Sequence, residues 1–441
     1  MRRSLIYALL LAGVCLIVFA PAYRAGITNW DDQYYLRSPQ SRQISTHTFT
    51  DFVFGSFHPL TIFSFAVEQQ FVGRSPSLLH TTNVLLHAGT AILVFLLLQE
   101  LTAMPFGAFA GALLWAVHPL RVESVVWIAA RKDVLSGIFF VAALLAYVRR
   151  RLPFALLFFV LSLLAKGTAV TLPLAMLTID YLQRRKAIVE KIPFFALSLV
   201  FGIVAYVGQR SPGAAPKLPG FGFSPLEKIA LSCQTLLFYL GKVFVPVGLS
   251  SFYPYPAKLS AVDWLAPVFL LVMVILIALT TRVTRAIAFA FAFFVVNIAI
   301  ILPLVSIGFN VAADRFTYIP SIGIAYAIAL IAKQKWWPVI AIVAASLGAL
   351  AFNRSHVWHD SITLWSNVID NDPGISRAWN SRGVAYVEEG DFPAAVRDFD
   401  RSIALEPCYE QALVNRYIVA EKFGDKAGAA AARDKLTKCR K

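Results

Sequence analysis

The stretch LLHTTNVLLHAGTAILVFLLLQ, residues 78–99, carries no charged side chain. It is long enough to cross ~30 Å of hydrocarbon as a helix, for which about 20 residues suffice. Comparable apolar runs recur at about 4–20, 105–118, 153–165, 192–208, 264–281, 286–305, 317–332 and 336–352. They dominate the composition: of 441 residues 58% are hydrophobic and only 15% charged, against about 25% charged in soluble domains. Lipid cannot satisfy a bare backbone, so these runs must be helices. The sequence predicts an all-α, polytopic membrane bundle of about 11 spans.

A net charge of +15 is compatible with nucleic acid, but Lys and Arg cluster at the ends of apolar runs, where they orient helices. Nucleic acid is therefore not an expected partner. Arg2 and Arg3 stay in the cytoplasm, and 4–20 reads as an uncleaved first span, with a cleaved signal peptide as the other reading. Reading onward by basic flanks puts Arg149 to Arg151, QRRK at 183–186, RVTR at 282–285 and KQK at 333–335 inside. It puts loop 21–76, residues 118–133, the turn at Lys166 and Gly167, QRSPGAAPKLPGFGF at 209–223 and ADRFTYIPS at 313–321 outside. Counting 226–247 as a crossing would break that pattern. With Lys228, Thr235, Tyr239 and Lys242 near one face, it reads as a re-entrant or interfacial helix.

After residue 354 the chain turns polar and periodic. Trp379, Gly383, Tyr386, Ala395, Phe399 and Pro407 fall at the spacing of a 34-residue tetratricopeptide repeat. The expected division is a membrane domain over 1–354 and an extracytoplasmic repeat domain over 355–441, with a small helical cap as the bland alternative. Cys15 and Cys233 lie in apolar segments and read as packing residues. Cys408 and Cys439 lie at the start of one helix and the end of its partner, where a disulfide depends on geometry.

Four polar clusters then share one side of the membrane: Asp31 and Asp32 in NWDDQYYL at 29–36; His118, Arg121, Glu123, Arg131, Lys132 and Asp133; Lys166; and Asp314, Arg315 and Tyr318. Each alone could be a solvated loop end, but ionisable groups at the mouths of apolar helices usually mark a site. Cations beside carboxylates suit a reaction in which a phosphate leaves and a hydroxyl attacks. A carboxylate takes the hydroxyl proton. Asp32 is the preferred base, since a helix starting here would use Asp31 as its cap. His58, His80, His87 and His118 read more readily as hydrogen-bonded structural residues than as ligands, and no metal-ligand spacing occurs. Asn83 and Glu68 line the same cavity or pair with a neighbouring helix. FYPYP at 252–256 offers aromatic faces to a sugar or to the membrane interface.

NWDDQYYL, HPLRVESVVWIAARKDVLSGIFF, KGTAVTLPLAMLTIDYL and ADRFTYIPSIGIAYA, followed by the repeats, resemble the transmembrane and tetratricopeptide repeat containing O-mannosyltransferases and their bacterial relatives. The resemblance spans nearly the whole chain in the same order. It implies a membrane glycosyltransferase of the C class in the bacterial inner membrane. The donor would be a polyprenyl-phosphate sugar, mannose first, and the acceptor a Ser or Thr of an exported protein held by the repeats. An acidic residue of the first external loop, Asp31 or Asp32, would be the base. Arg131, Lys132, Lys166 and Arg315 would contact the lipid-linked phosphate with Tyr318 nearby, and Glu123, His118 and Asp133 would shape the pocket. Gly167 departs from the Glu that many relatives place after the Lys, and the repeat array is short. The rivals are a lipid-linked sugar transporter, which would distribute charge through its spans, a transferase acting on a glycan or glycolipid, and a non-catalytic scaffold.

Overall fold

The computed structural model describes residues 2–53, 55–210, 222–280, 285–304 and 309–440. Most of the expected loop at 209–223 and three residues of RVTR lie outside the described residues. Helices dominate, and one short antiparallel ribbon pairs Tyr253–Pro254 with Asn310–Ala312.

Each expected span overlaps a helix over at least part of its length, and proline explains many of the starts. Pro59, Pro76, Pro105 and Pro225 each open one, because the first turn has no use for the missing amide hydrogen and the fixed φ suits a helix. Among the described residues four helices are long and apolar enough to cross a membrane: Pro76–Thr102, Val189–Gly208, Ala261–Leu279 and Gln334–Trp358. Others are shorter than the apolar runs suggested. The run at 317–332 is helical only over Ile322–Ile331, since Asp314–Thr317 forms a 3-10 turn and Pro320 follows it. The helix Pro225–Phe244 replaces the ambiguous segment, with Ser224 and Glu227 closing a reciprocal capping box. Its polar stripe is structural: the Ala313 amide donates to the Tyr239 hydroxyl at 3.0 Å, and Lys242 donates to the Gly248 carbonyl at 3.2 Å.

Small residues let backbones meet. A methyl group on Gly107 would lie 2.0 Å from the Ala329 carbonyl oxygen, and one on Gly111 would lie 2.3 Å from that of Ala325. The Pro105–Ala116 and Ile322–Ile331 helices therefore pack backbone on backbone through two four-residue-spaced small stripes, a familiar contact where lipid supplies no hydrophobic drive. Gly137 leaves the space that the Tyr318 ring fills, with a Cβ there 2.6 Å from the ring. Both contacts fix loop 310–321 over one end of the bundle.

The tail folds into Ser361–Asn371, Ser376–Glu389, Phe392–Leu405, Glu410–Lys422 and Lys426–Cys439, each helix packed on the next. Asp360, Asp391 and Asp425 cap three of them through the amides of Thr363, Ala394 and Gly428. Gly383 abuts the Phe399 ring, and Cys408 is bonded to Cys439. The tail grips the first loop. Trp30 stacks on Trp365 with centroids 4.7 Å apart, Trp365 Nε1 donates to Asn29 Oδ1 at 2.6 Å, and Asn29 Nδ2 donates to the Ser381 carbonyl at 2.9 Å. Phe252 joins that aromatic group, so part of FYPYP serves packing.

Candidate active site

NWDDQYYL splits its two carboxylates. Asp32 is 1% exposed. Its Oδ2 accepts the Thr28 amide at 2.9 Å and the Thr28 hydroxyl at 2.8 Å, and its Oδ1 accepts the Ala129 amide at 2.8 Å. Burial pushes its pKa up to about 6, although those hydrogen bonds pull the other way. Asp31 is the N-cap residue of Asp32–Arg37 but makes no side-chain capping bond. It is half-buried, and its carboxylate has no hydrogen bond or ion pair among the described residues. The expected capping by Asp31 is not made. Asp32 is the local anchor, and Asp31 is the carboxylate left open to a ligand.

Lys132 and Arg315 feel the Asp31 charge, and with Lys166 they form a series of three cations separated by rings. The Lys132 ammonium lies 4.7 Å from the Tyr35 centroid and 5.5 Å from that of Trp127. The Arg315 guanidinium lies 5.3 Å from Trp127 and 4.8 Å from Phe316, and Lys166 lies 5.6 Å from Phe316. The result is a row, Tyr35, Lys132, Trp127, Arg315, Phe316, Lys166, in which each positive charge touches aromatic faces. Glu123 accepts both the Arg315 amide, at 2.9 Å, and its guanidinium. Burial opposes the Arg315 charge, but Glu123, Asp133 and Asp31 together outweigh it and hold the pKa above the usual value. Lys166 pairs with Asp133, whose other oxygen is buried without a hydrogen-bond partner among the described residues. Lys132 donates to the Tyr35 hydroxyl at 3.0 Å and has no ion pair among the described residues. Asp133, Lys166 and Arg315 line one pocket with Ser136, Thr168 and Asn297.

Several expected site residues are placed elsewhere. Arg131 is 0% exposed, paired with Glu68, and bonded to Asn83 at 3.0 Å and the Leu79 carbonyl at 2.8 Å. Its guanidinium is thereby committed to neighbouring helices and is not presented to a phosphate. Glu68 and Asn83 are its partners, not cavity walls. Tyr318 borders the pocket, but its hydroxyl is taken by His87 at 2.9 Å. His118 is outside that pocket. It accepts the Leu120 amide at 3.2 Å and its Nε2 meets the Val243 carbonyl at 3.0 Å, and burial drops its pKa to about 3. Glu123 acts through Arg315 and does not line the pocket. Tyr35, Trp127 and Phe316 were missed, although all three sit inside the quoted motifs beside the charges. Their signal was adjacency to Lys132 and Arg315 across different segments, which one sequence does not reveal.

No family model matches the chain. A protein O-mannosyl-transferase of Caenorhabditis elegans is 27% identical over 381 residues, covering 81% of this chain and 54% of that protein. The human protein O-mannosyl-transferase TMTC3 is 24% identical over 429 residues, covering 80% of this chain and 45% of that protein. The crystal structure of ArnT from Cupriavidus metallidurans bound to undecaprenyl phosphate is 14% identical, with a TM-score of 0.41 over 95% of this chain and 78% of that one. That likeness is too distant to bear on the site. The homologues of this chain are the protein O-mannosyl-transferases of the transmembrane and tetratricopeptide repeat type, and it spans about half the length of the curated relatives it matches.

Proposed function

We propose that the chain is a membrane glycosyltransferase that moves one sugar, mannose, from a polyprenyl-phosphate carrier to a Ser or Thr hydroxyl of an exported protein on the extracytoplasmic face. One observation carries this reading: the Asp31 carboxylate, unengaged among the described residues, acts electrostatically on Lys132 and Arg315, and Lys132 lacks an ion pair among those residues. The names of the homologues support the sugar and the acceptor class.

The acceptor hydroxyl attacks the anomeric carbon from the side opposite the phosphate. Its proton passes to the Asp31 carboxylate as the new carbon–oxygen bond forms. The bond from that carbon to the phosphate oxygen breaks, its electron pair leaves with the phosphate, and the anomeric configuration inverts. Lys132 and Arg315 stabilise the charge growing on the phosphate oxygens. Glu123 and Asp133 keep Arg315 and Lys166 in place before the donor arrives.

The tail is read as a tetratricopeptide domain over 355–441 that holds the acceptor. Its support is the stacking of successive helices, the Gly383 contact with Phe399, and the equivalent caps Asp391 and Asp425, one repeat period of 34 residues apart.

The test uses purified protein, polyprenyl-phosphate mannose with a labelled sugar, and Ser/Thr peptides. Transfer to the peptide hydroxyl that is lost in Asp31→Asn is the expected result. Full transfer by Asp31→Asn would sink the base assignment, and no transfer with any peptide would sink the acceptor.

A further inference from the structure

A second hollow lies behind the site pocket. Leu114, Trp115, Ile324, Ile328, Val343 and Leu347 line a groove of about 220 Å³, narrower than the roughly 300 to 1,000 Å³ of clefts that enclose a whole small molecule and suited to part of an extended acyl chain. Its polarity is graded along the helices. His118, Arg121 and Ser321 gather at the end nearest the site, and from Ser321 to Ile328 the wall descends about 10 Å along one helix into purely aliphatic lining. Phe244 and Val343 on its rim are exposed, so the groove opens sideways, toward the lipid around the bundle.

Arg121 is the unusual member. It is 1% exposed and donates to the Thr317 carbonyl at 3.0 Å and the Thr317 hydroxyl at 2.6 Å. Among the described residues it has no ion pair, and its Nε has no hydrogen-bond partner. The Trp115 and Tyr318 rings, each 5.5 Å away, and the Asp314 carboxylate beyond ion-pair distance offset its charge in part. A buried guanidinium is ordinarily paired with an anion. Here the missing anion would sit at the polar end of an apolar groove, which is the arrangement of a lipid phosphate above its chain.

We propose that this groove binds an anionic phospholipid of the surrounding bilayer, with the phosphate against Arg121 and one acyl chain along Ile324, Ile328 and Leu347. The lipid is distinct from the sugar carrier. Trp115 lines the groove, Tyr318 lines the site pocket, and their rings meet edge to face at 5.1 Å. That wall separates Arg121 from the row of Lys132, Arg315 and Lys166. The inference does not depend on the transferase reading, because it rests on Arg121 and the groove alone.

The full-length protein in phosphatidylcholine nanodiscs is labelled with phosphatidylglycerol carrying a photoreactive acyl chain, and the modified peptides are mapped. Labelling of the Ile322–Ile331 helix is expected to exceed that from an equally photoreactive phosphatidylcholine. Arg121→Gln should reduce it by roughly tenfold, the factor carried by one charge-assisted hydrogen bond. Leu347→Trp, which fills the groove and leaves Arg121 in place, should abolish it. Equal labelling by the two lipids overturns the proposal, as does unchanged labelling of a folded Arg121→Gln protein. Displacement of the label by an equimolar polyprenyl phosphate overturns it too, since the groove would then belong to the carrier. If Arg121→Gln does not fold, Leu347→Trp decides: loss of label supports the lipid site, and retention overturns it.

Discussion

Asp32 Oδ1 accepts the Ala129 amide at 2.8 Å across 97 residues of chain. This bond ties the first loop to the turn ahead of Arg131–Val148, and it does so next to a carboxylate, that of Asp31, with no hydrogen bond or ion pair among the described residues. With Asp32 held on both oxygens, the backbone at Asp31 is fixed while its side chain stays available. The base proposed at Asp31 must be positioned and unoccupied at once, and two adjacent aspartates meet both demands.

The two aspartates should therefore fail in different ways. Asp31→Asn is expected to lower turnover by about 10²- to 10⁴-fold, the usual worth of a general base, with its melting temperature close to wild type. Asp32→Ala strips the acceptor from the Thr28 and Ala129 amides, each costing about 1–3 kcal/mol when left buried and unpaired. Paired assays of transfer and thermal unfolding in detergent check the split. A stable Asp32→Ala protein, or a destabilised Asp31→Asn protein, contradicts it.

Asp32 also makes stability depend on pH. Its folded pKa is raised to about 6 from an ordinary 3.8, so between those values the folded protein binds the proton more tightly than the unfolded chain does. The associated stability is fully present below about 3.8 and is lost as pH rises to about 6, on the order of 3 kcal/mol in all. Thermal unfolding between pH 4 and 7 should show the advantage of wild type over Asp32→Ala shrinking as pH rises. Parallel curves would count against a protonated Asp32.

The helices were legible in the sequence because lipid imposes one solution on long apolar runs, and Pro76, Pro105 and Pro225 marked their starts. The charged motifs were legible as a set, since NWDDQYYL and ADRFTYIPS interrupt the apolar pattern at one end. Which charges face a ligand was not. Arg131 and Lys132 are neighbours in sequence, yet one is consumed by Glu68 and Asn83 and the other stands unpaired. That difference is set by contacts between helices tens of residues apart. The expectation that Asp31 caps the helix was misled in the same way: the cap rule considers only the local helix, whereas a partner of Asp32, Ala129, lies in another loop.

The three cations should separate in the same fashion. Lys132→Gln removes a charge without orphaning a carboxylate, so donor kcat/KM is expected to fall about 10- to 100-fold, as for the loss of one charge-assisted hydrogen bond, with stability unchanged. Lys166→Gln leaves buried Asp133 unpaired, a loss of about 3–5 kcal/mol. Adding Asp133→Asn should restore the melting temperature but not donor affinity. Rescue of both would make Lys166 a structural lysine only.

The tail should influence turnover through Asn29 and Trp30, the residues just before Asp31. Trp365 stacks on Trp30 and donates to Asn29 Oδ1, and Asn29 Nδ2 in turn reaches the Ser381 carbonyl. Asn29→Ala breaks both polar ties and leaves the Trp365 Nε1 without its acceptor, at a cost of about 1–3 kcal/mol. The predicted outcome is faster limited proteolysis between 354 and 361 in the full-length protein, with a lower kcat and an unchanged KM for the lipid donor, because the cation row is untouched. Asn29→Asp keeps the acceptor for Trp365 and should recover part of the protease resistance. A variant that raises donor KM instead would mean that the first loop contacts the donor directly and is not merely held in place by the tail.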